Sequence, residues 1–144
     1  HFPTTYAEIL ERISNIDPVA YGKTRNNIDG AVTYLSPYLS RGVISLQHVK
    51  ATVETKGYAA HETIRFFQEL AWREYFQRVW WLKGSAMLHD MRVAQQGVQH
   101  SQMPLAIIQA HTGIDAVDSN IRQLLDTGYM HNHVRMYVAS IACN

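Results

Sequence analysis

The sequence predicts an all-α fold, on three observations. No segment alternates apolar and polar residues between turn signals, as a half-buried strand would. Apolar residues instead recur three and four positions apart in several separate stretches. Helix punctuation brackets those stretches: the cap-then-proline pairs Asp17-Pro18 and Ser36-Pro37 mark starts, and Gly42, Gly57, Gly84 and Gly128 mark stops.

Taken in order, Thr4 or Thr5 can cap a helix over Tyr6–Ser14, whose stripe is Ile9, Leu10 and Ile13. Asp17 caps a second start, with Pro18 at its first helical position. From Tyr21 to Tyr34 the chain is polar and turn-rich (GKTRNNIDG), which predicts an irregular loop. Ser36-Pro37 opens a short helix to Ser40. Another follows Ser45, with Leu46, Val49 and Val53 in phase. The longest helix is predicted over about Ala60–Leu82, with Ile64, Phe67, Ala71, Val79 and Leu82 as its hydrophobic stripe and Trp80-Trp81 as packing residues. Residues 85–103 lack periodicity and read as loop with at most a turn of helix. Three helices complete the chain: Pro104–Ala110, Asp115–Asp126 with Val117, Ile121, Leu124 and Leu125 inward, and His131 onward with Val134, Val138 and Ile141 inward.

The 144 residues suffice for one domain with a core and are too few to expect two. Charged residues make up 17 %, against roughly 25 % in ordinary soluble domains. That shortfall suits a surface that packs against something else. The net charge of +1 excludes a uniformly basic nucleic-acid binder, so any such contact must be a local patch. A lone Cys143 excludes an internal disulfide and favours a reducing compartment, hence a cytoplasmic location. No apolar run reaches the roughly 20 residues a membrane helix needs. The chain begins at His1 without a leader and ends inside an apolar pattern at Asn144, which suggests a fragment.

Three places carry chemistry beyond packing. On the long helix Glu69, Trp72, Arg73 and Phe76 share one face, either as a half-buried surface with a Glu69–Arg73 pair or as a pocket wall with a stacking platform and an anion contact. At Ser36-Pro37 a helix start, with the hydroxyls of Thr33 and Ser36, suits phosphate, as any capped helix start would. In Thr127–Ser140, Asn132, Arg135, Met136 and Ala139 share a face. His131 and His133 diverge on a helix and have no third ligand nearby, so zinc is excluded, and no metal is expected. There is no nucleophilic triad, no Walker loop and no dinucleotide-binding glycine motif.

Four stretches stand in order at compatible spacing: Arg25…Gly30…Leu35-Ser36-Pro37-Tyr38-Leu39; Glu69-Leu70-Ala71-Trp72-Arg73-Glu74-Tyr75-Phe76; Thr112-Gly113…Val117-Asp118…Arg122-Gln123-Leu124; and Thr127-Gly128-Tyr129-Met130-His131-Asn132…Arg135-Met136. Together they resemble the helical FAD-binding domain of DNA photolyases and cryptochromes, from Tyr21 onward. The resemblance implies FAD as cofactor and DNA bearing pyrimidine dimers as partner. It implies that Tyr21, Thr33, Tyr34, Leu35 and Ser36 grip the dinucleotide, that Arg73 faces its phosphates, and that Asn132 and Arg135 lie beside it. It further implies a DNA-backbone contact at Arg25. Glu69 and Trp72 would hold the flipped dimer by a hydrogen bond and a flat wall, with Met136 as a further contact. Asn132 and His133 would also meet DNA.

Departures from the family pattern accompany the resemblance. Within these 144 residues the expected Asp-Gly-Asp stretch, an asparagine near the flavin and the tryptophans nearest the ring do not follow Arg135, and the family's N-terminal antenna domain is not among them. The 144 residues alone are therefore expected to be inactive and to hold FAD poorly, as a domain truncated at its C-terminal side. His100 aligns near the family's exposed relay tryptophan, and His133 replaces a common arginine, weakening attraction for phosphate. These two changes also suit a cryptochrome-like or antenna-less paralogue that binds flavin or nucleic acid without repair. A helical interaction module without cofactor is the third possibility.

Overall fold

The computed structural model describes residues 2–90, 92–99 and 101–143. Within them the chain forms helices α1 (Tyr6–Ser14), α2 (Pro18–Thr24), α3 (Ser36–Ser40), α4 (Leu46–Glu54) and α5 (Ala60–Lys83), then a 3₁₀ turn (Gly84–Leu88), then α6 (Leu105–Ile108), α7 (Asp115–Thr127) and α8 (Asn132–Cys143). No strand occurs among the described residues, as the missing period-2 pattern predicts.

The predicted caps form where the hydroxyl and carboxylate chemistry allows. Thr5 Oγ1 accepts from Glu8 N–H, and Ser45 Oγ accepts from His48 N–H at 3.1 Å. Asp17 Oδ1 accepts from both Val19 N–H and Ala20 N–H at 2.9 Å. Asp17→Ala is therefore expected to lower the melting temperature by about 3 °C, roughly 1 kcal/mol, in a thermal melt followed by circular dichroism. Ser36 is not a cap: it is the first residue of α3, Leu35 precedes it, and no side chain bonds that helix start.

The predicted loop over 21–34 is helical as far as Thr24. Asp17 and Pro18 launch α2, and α5 supports it from the side, where a Cβ on Gly22 would stand 3.3 Å from Arg65 Cβ. The polar GKT residues need no core of their own, since α5 supplies it. Beyond α2 the loop is knitted by backbone bonds from Asn27 to Thr24 and from Gly30 to Asn27, and by Ala31 N–H donating to Thr24 Oγ1 at 2.9 Å.

Two buried clusters organise the molecule. The first gathers Ile9, Ile13, Ile16, Leu35, Tyr38, Ile44, Val49, Val53 and Phe66 from α1, α3, α4, the start of α5 and their connections. Lys56 Nζ closes it at one end, donating to the carbonyls of Ser14 at 2.6 Å and Ile16 at 2.5 Å. The second gathers Ile107, Ala110, Val117, Ile121, Met130 and Val134 from α6–α8, with Val138 and Ala142 against it. Asp118 stitches the turn before α7, accepting from Thr112 N–H and Oγ1 (2.8 and 2.6 Å) and from Gly113 N–H (3.2 Å).

Periodicity placed helices correctly and faces less well. On α5 the buried residues are Thr63 and Phe66, with Phe67 and Leu70 packed beside them. Ile64, Ala71 and Leu82 of the predicted stripe are exposed, and Val79 is only half-buried. The cause is length: 24 residues carry α5 well past the first core, so its second half has little to bury against within this chain. Trp80 and Trp81 are accordingly exposed and do not pack as predicted. Leu124, Leu125 and Ile141 are likewise exposed where an inward position was predicted. Helix α6 is shorter than predicted because Ala110 takes a positive φ of 52°.

Candidate functional site

Helix α2 brings Tyr21 and Arg25 against α5, one turn apart on the same side. Arg25 Nε donates to Glu69 Oε1 at 3.1 Å and its Nη1 to the Gly22 carbonyl at 3.3 Å. Glu69 therefore pairs across helices and not with Arg73, the i, i+4 partner that spacing suggested. The Tyr21 ring meets Phe66 edge-on at 5.2 Å. Burial, and then the Glu69 charge, push the Tyr21 hydroxyl up to about 12, with Arg25 opposing. Tyr21 thus stays a neutral hydrogen-bonding group at any ordinary pH.

Arg73 turns the other way, its Nη2 donating to Ser40 Oγ at 2.9 Å. Burial lowers its pKa. It therefore sits at the far end of α3 from Ser36. That helix offers little as an anion site through its backbone: Pro37 has no N–H, and the Tyr38 and Leu39 N–H groups are bonded to the Leu35 carbonyl. Leu35 N–H reaches Thr33 Oγ1 at 3.4 Å. The hydroxyls of Thr33 and Ser36, both half-buried, remain as the polar groups of this segment. A cleft of about 550 Å³ lies on the α1 side of Thr33 and Tyr34. Its charged lining is Glu8, Glu11, Asp17 and one arginine, Arg12, which does not suit an anion.

Leu35 is buried in the first core, and the segment around it is held from three sides. The ring of Tyr34 meets Tyr129 at 5.1 Å and Phe2 at 6.0 Å, while Phe2 and Tyr129 meet at 5.3 Å. Burial, with Tyr34 next, pushes the Tyr129 hydroxyl up to about 12, and Arg135 opposes. This cluster joins the segment ahead of α1, the 32–36 segment and the turn ahead of α8. Of the three rings only Tyr34 is a site residue expected from the sequence: Tyr129 lies within the fourth motif without an expected role, and Phe2 belongs to no periodic stretch.

At the start of α8, Asn132 and Arg135 are exposed, and Arg135 Nη2 donates to the Met130 carbonyl at 3.1 Å. His131 is 4 % exposed, and its Nδ1 accepts from His133 N–H at 3.2 Å, which caps the helix and requires a neutral ring with its proton on Nε2. Nε2 is buried without a partner among the described residues. His133 packs edge-on against Tyr137 at 5.1 Å.

Burial, then the neighbouring His133, lower the pKa of His131. A lowered folded pKa means that the unfolded chain binds the proton more tightly, so stability is fully present above the unfolded value of about 6.5 and is lost as pH falls. The melting temperature is expected to drop between about pH 7 and pH 5, and His131→Asn, which keeps a capping acceptor, to flatten that decline. An unchanged profile in His131→Asn would refute it.

On α5 the Trp72 ring is 54 % exposed, stacked on Phe76 at 6.0 Å and edge-on to Tyr75 at 5.6 Å. Met136 on α8 is exposed as well. The structure thus brings together Tyr21, Arg25 and Glu69, and links Tyr34 to Tyr129, while Arg73 is tied to Ser40. His100 lies outside the described residues. Among them no group of three or more His, Cys, Asp or Glu side chains could hold a metal, and no helix is long and apolar enough to cross a membrane.

The family described as "FAD binding domain of DNA photolyase" matches residues 66–144. A cryptochrome DASH of Vibrio parahaemolyticus is 34 % identical over 84 % of the chain and 29 % of its own length. A deoxyribodipyrimidine photo-lyase of Alkalihalophilus pseudofirmus is 29 % identical over 74 % of the chain and 23 % of its own length. Among solved structures, a cryptochrome of Synechocystis sp. PCC6803 superposes with a TM-score of 0.81 at 26 % identity, over 99 % of this chain and 32 % of that one. A bacterial class III photolyase of Agrobacterium tumefaciens gives 0.75 at 26 % identity, over 94 % and 30 %. The chain spans less than a third of the length of these relatives.

Proposed function

Since the chain belongs to the family of FAD-binding domains of DNA photolyases, we propose that it serves a light-dependent, cytoplasmic enzyme that splits pyrimidine dimers in DNA. The side chains fit the family's cofactor. Arg73 and Arg135 are cations, Thr33 and Ser36 add hydroxyls, and Tyr21 stays neutral, which are the donor types that the phosphates and hydroxyls of a dinucleotide require. In this reading Tyr21, Thr33, Tyr34, Leu35, Ser36 and Arg73 hold the dinucleotide, with Asn132 and Arg135 beside it.

The observation that carries the proposal is the Arg25–Glu69 pair, one helical turn from the exposed Trp72 face. A carboxylate half-shielded from water and anchored by a guanidinium is poised to accept a hydrogen bond from a base edge, and Arg25 remains near enough to meet a phosphate. The Trp72 ring offers a flat wall for stacking, with Met136 as a further apolar contact. Asn132 and His133 would meet the DNA strand. When bound, the flavin supplies the light-driven electron, and the protein positions the dimer and excludes water.

The test uses a protein of the relatives' full length that carries this chain. With FAD bound and reduced, illumination of single-stranded DNA containing thymine dimers is expected to restore thymine absorbance. No restoration would move the assignment to a paralogue that binds flavin or nucleic acid without repair, a reading favoured by His133, an imidazole packed on Tyr137 where a guanidinium would attract phosphate more strongly. Arg73→Ala is expected to cut bound flavin, read from its visible absorbance, by about tenfold, as loss of a charge-assisted contact does. Unchanged flavin would point to a helical module without cofactor.

A further inference from the structure

Tyr34 has a φ of 54°, the left-handed region that a side chain with Cβ occupies only at a cost. Such strain persists where the surroundings over-determine it. At Tyr34 the surroundings are not the backbone: its own N–H and carbonyl make no hydrogen bond among the described residues. What surrounds it is aromatic. Tyr129 stands at 5.1 Å and 53°, Phe2 at 6.0 Å and 76°, and the Arg12 guanidinium lies 5.9 Å from the Tyr34 ring centre and 5.8 Å from that of Phe2. Edge-on and tilted ring pairs of this kind, with a cation over the faces, are attractive arrangements.

We propose that Phe2 and Tyr129 are positioning residues whose rings clamp Tyr34 in its left-handed conformation and so preset the 32–36 segment to receive a dinucleotide. The proposal rests on the cofactor reading above for its purpose, and on geometry for its existence. A left-handed residue reverses the chain locally, so it decides where the neighbouring Thr33 and Ser36 hydroxyls lie while Leu35 stays in the core. Because Tyr129 belongs to the turn ahead of α8, the grip forms only while the second cluster is docked on the first. Binding of a dinucleotide would then strengthen that docking, since the two share the clamp.

The experiment is amide hydrogen exchange on the 144-residue chain without ligand. Tyr129→Leu is expected to speed exchange of the Val32 and Leu35 amides at least tenfold while Val49 and Val53 in α4 keep their rates, and Tyr129→Phe is expected to match the native chain. Unchanged loop exchange in Tyr129→Leu overturns the proposal, as does equal damage from Tyr129→Phe or a uniform speeding across the whole chain. Tyr34→Gly is the independent arm. It removes both the strain and the ring, so faster loop exchange supports the clamp, and slower or unchanged exchange shows that the backbone holds itself and overturns it. In a protein of the relatives' full length that carries this chain, FAD binding, followed by flavin fluorescence, is expected to weaken about tenfold in Tyr129→Leu and not in Tyr129→Phe. If the loop responds as expected but the longer protein, native or variant, binds no FAD, the clamp stands and the cofactor reading fails.

Discussion

Leu35→Ala is expected to lower stability by about 3 kcal/mol, the usual scale for removing a leucine from a packed core, and to lower the melting temperature by roughly 10 °C. Leu35 is 2 % exposed and packs in the first cluster with Tyr38 and Ile44. It is also the one residue of the 33–36 segment sunk in the core, between the strained Tyr34 and the half-buried Ser36. The substitution should therefore loosen the site before the chain unfolds. Differential scanning calorimetry measures the first effect. Amide exchange at Val32 measures the second at a temperature well below the transition. A shift of less than about 3 °C would mean that the neighbours collapse into the space and that Leu35 does not anchor the segment.

Gly30→Ala should be comparably harmful for a different reason. A Cβ at Gly30 would stand 1.9 Å from the Thr24 carbonyl oxygen, 2.7 Å from its carbon and 2.9 Å from the Asn27 oxygen, all backbone atoms. No side-chain rotation can relieve that overlap, so the 24–31 loop must open. The bonds at risk are those from Gly30 N–H to Asn27, from Asn27 N–H to Thr24, and from Ala31 N–H to Thr24 Oγ1. The expected loss is about 2–3 kcal/mol, at the upper end for overpacking, again seen by calorimetry. A melting temperature within about 1 °C of the native value would show that the loop yields freely. Because this loop carries Arg25 at one end and Tyr34 beyond the other, flavin content in the longer protein should fall as well.

Much of the fold was legible because it is written in short-range chemistry. The starts of α1 and α4 follow from the capping oxygens of Thr5 and Ser45, the end of α7 from Gly128, and the bodies of all three from three-to-four spacing, signals that act within one or two turns. The faces of α5 were not legible. Its sequence mixes aromatics and charges around the whole circumference, so periodicity had no sharp direction, and the buried side was settled by where α2 happened to lie. The helical part of the Tyr21 loop escaped for the same reason: its support comes from Arg65, far along the chain.

The site divides in the same way. Residue types could be named, since the four motifs carry them, but partners could not. Glu69 has an equally plausible mate four residues away, and only the fold shows that Arg25 takes that place while Arg73 reaches to Ser40. The Phe2–Tyr34–Tyr129 cluster joins residues as far apart as the segment ahead of α1 and the turn ahead of α8. The positive φ of Tyr34 had no sequence signal either, since nothing about tyrosine announces it.

All three tryptophans, Trp72, Trp80 and Trp81, lie on α5, and they are 54, 45 and 77 % exposed. Ultraviolet emission from this chain therefore reports the water around a single helix and neither buried cluster. Its spectrum should already be red-shifted in the folded state and should move little on denaturation, so a fluorescence melt would miss the transition that calorimetry sees. The same arrangement makes a quiet background for another purpose. An aromatic ligand settling on α5 would dim that emission, and a soluble quencher such as iodide would lose its access at the same moment.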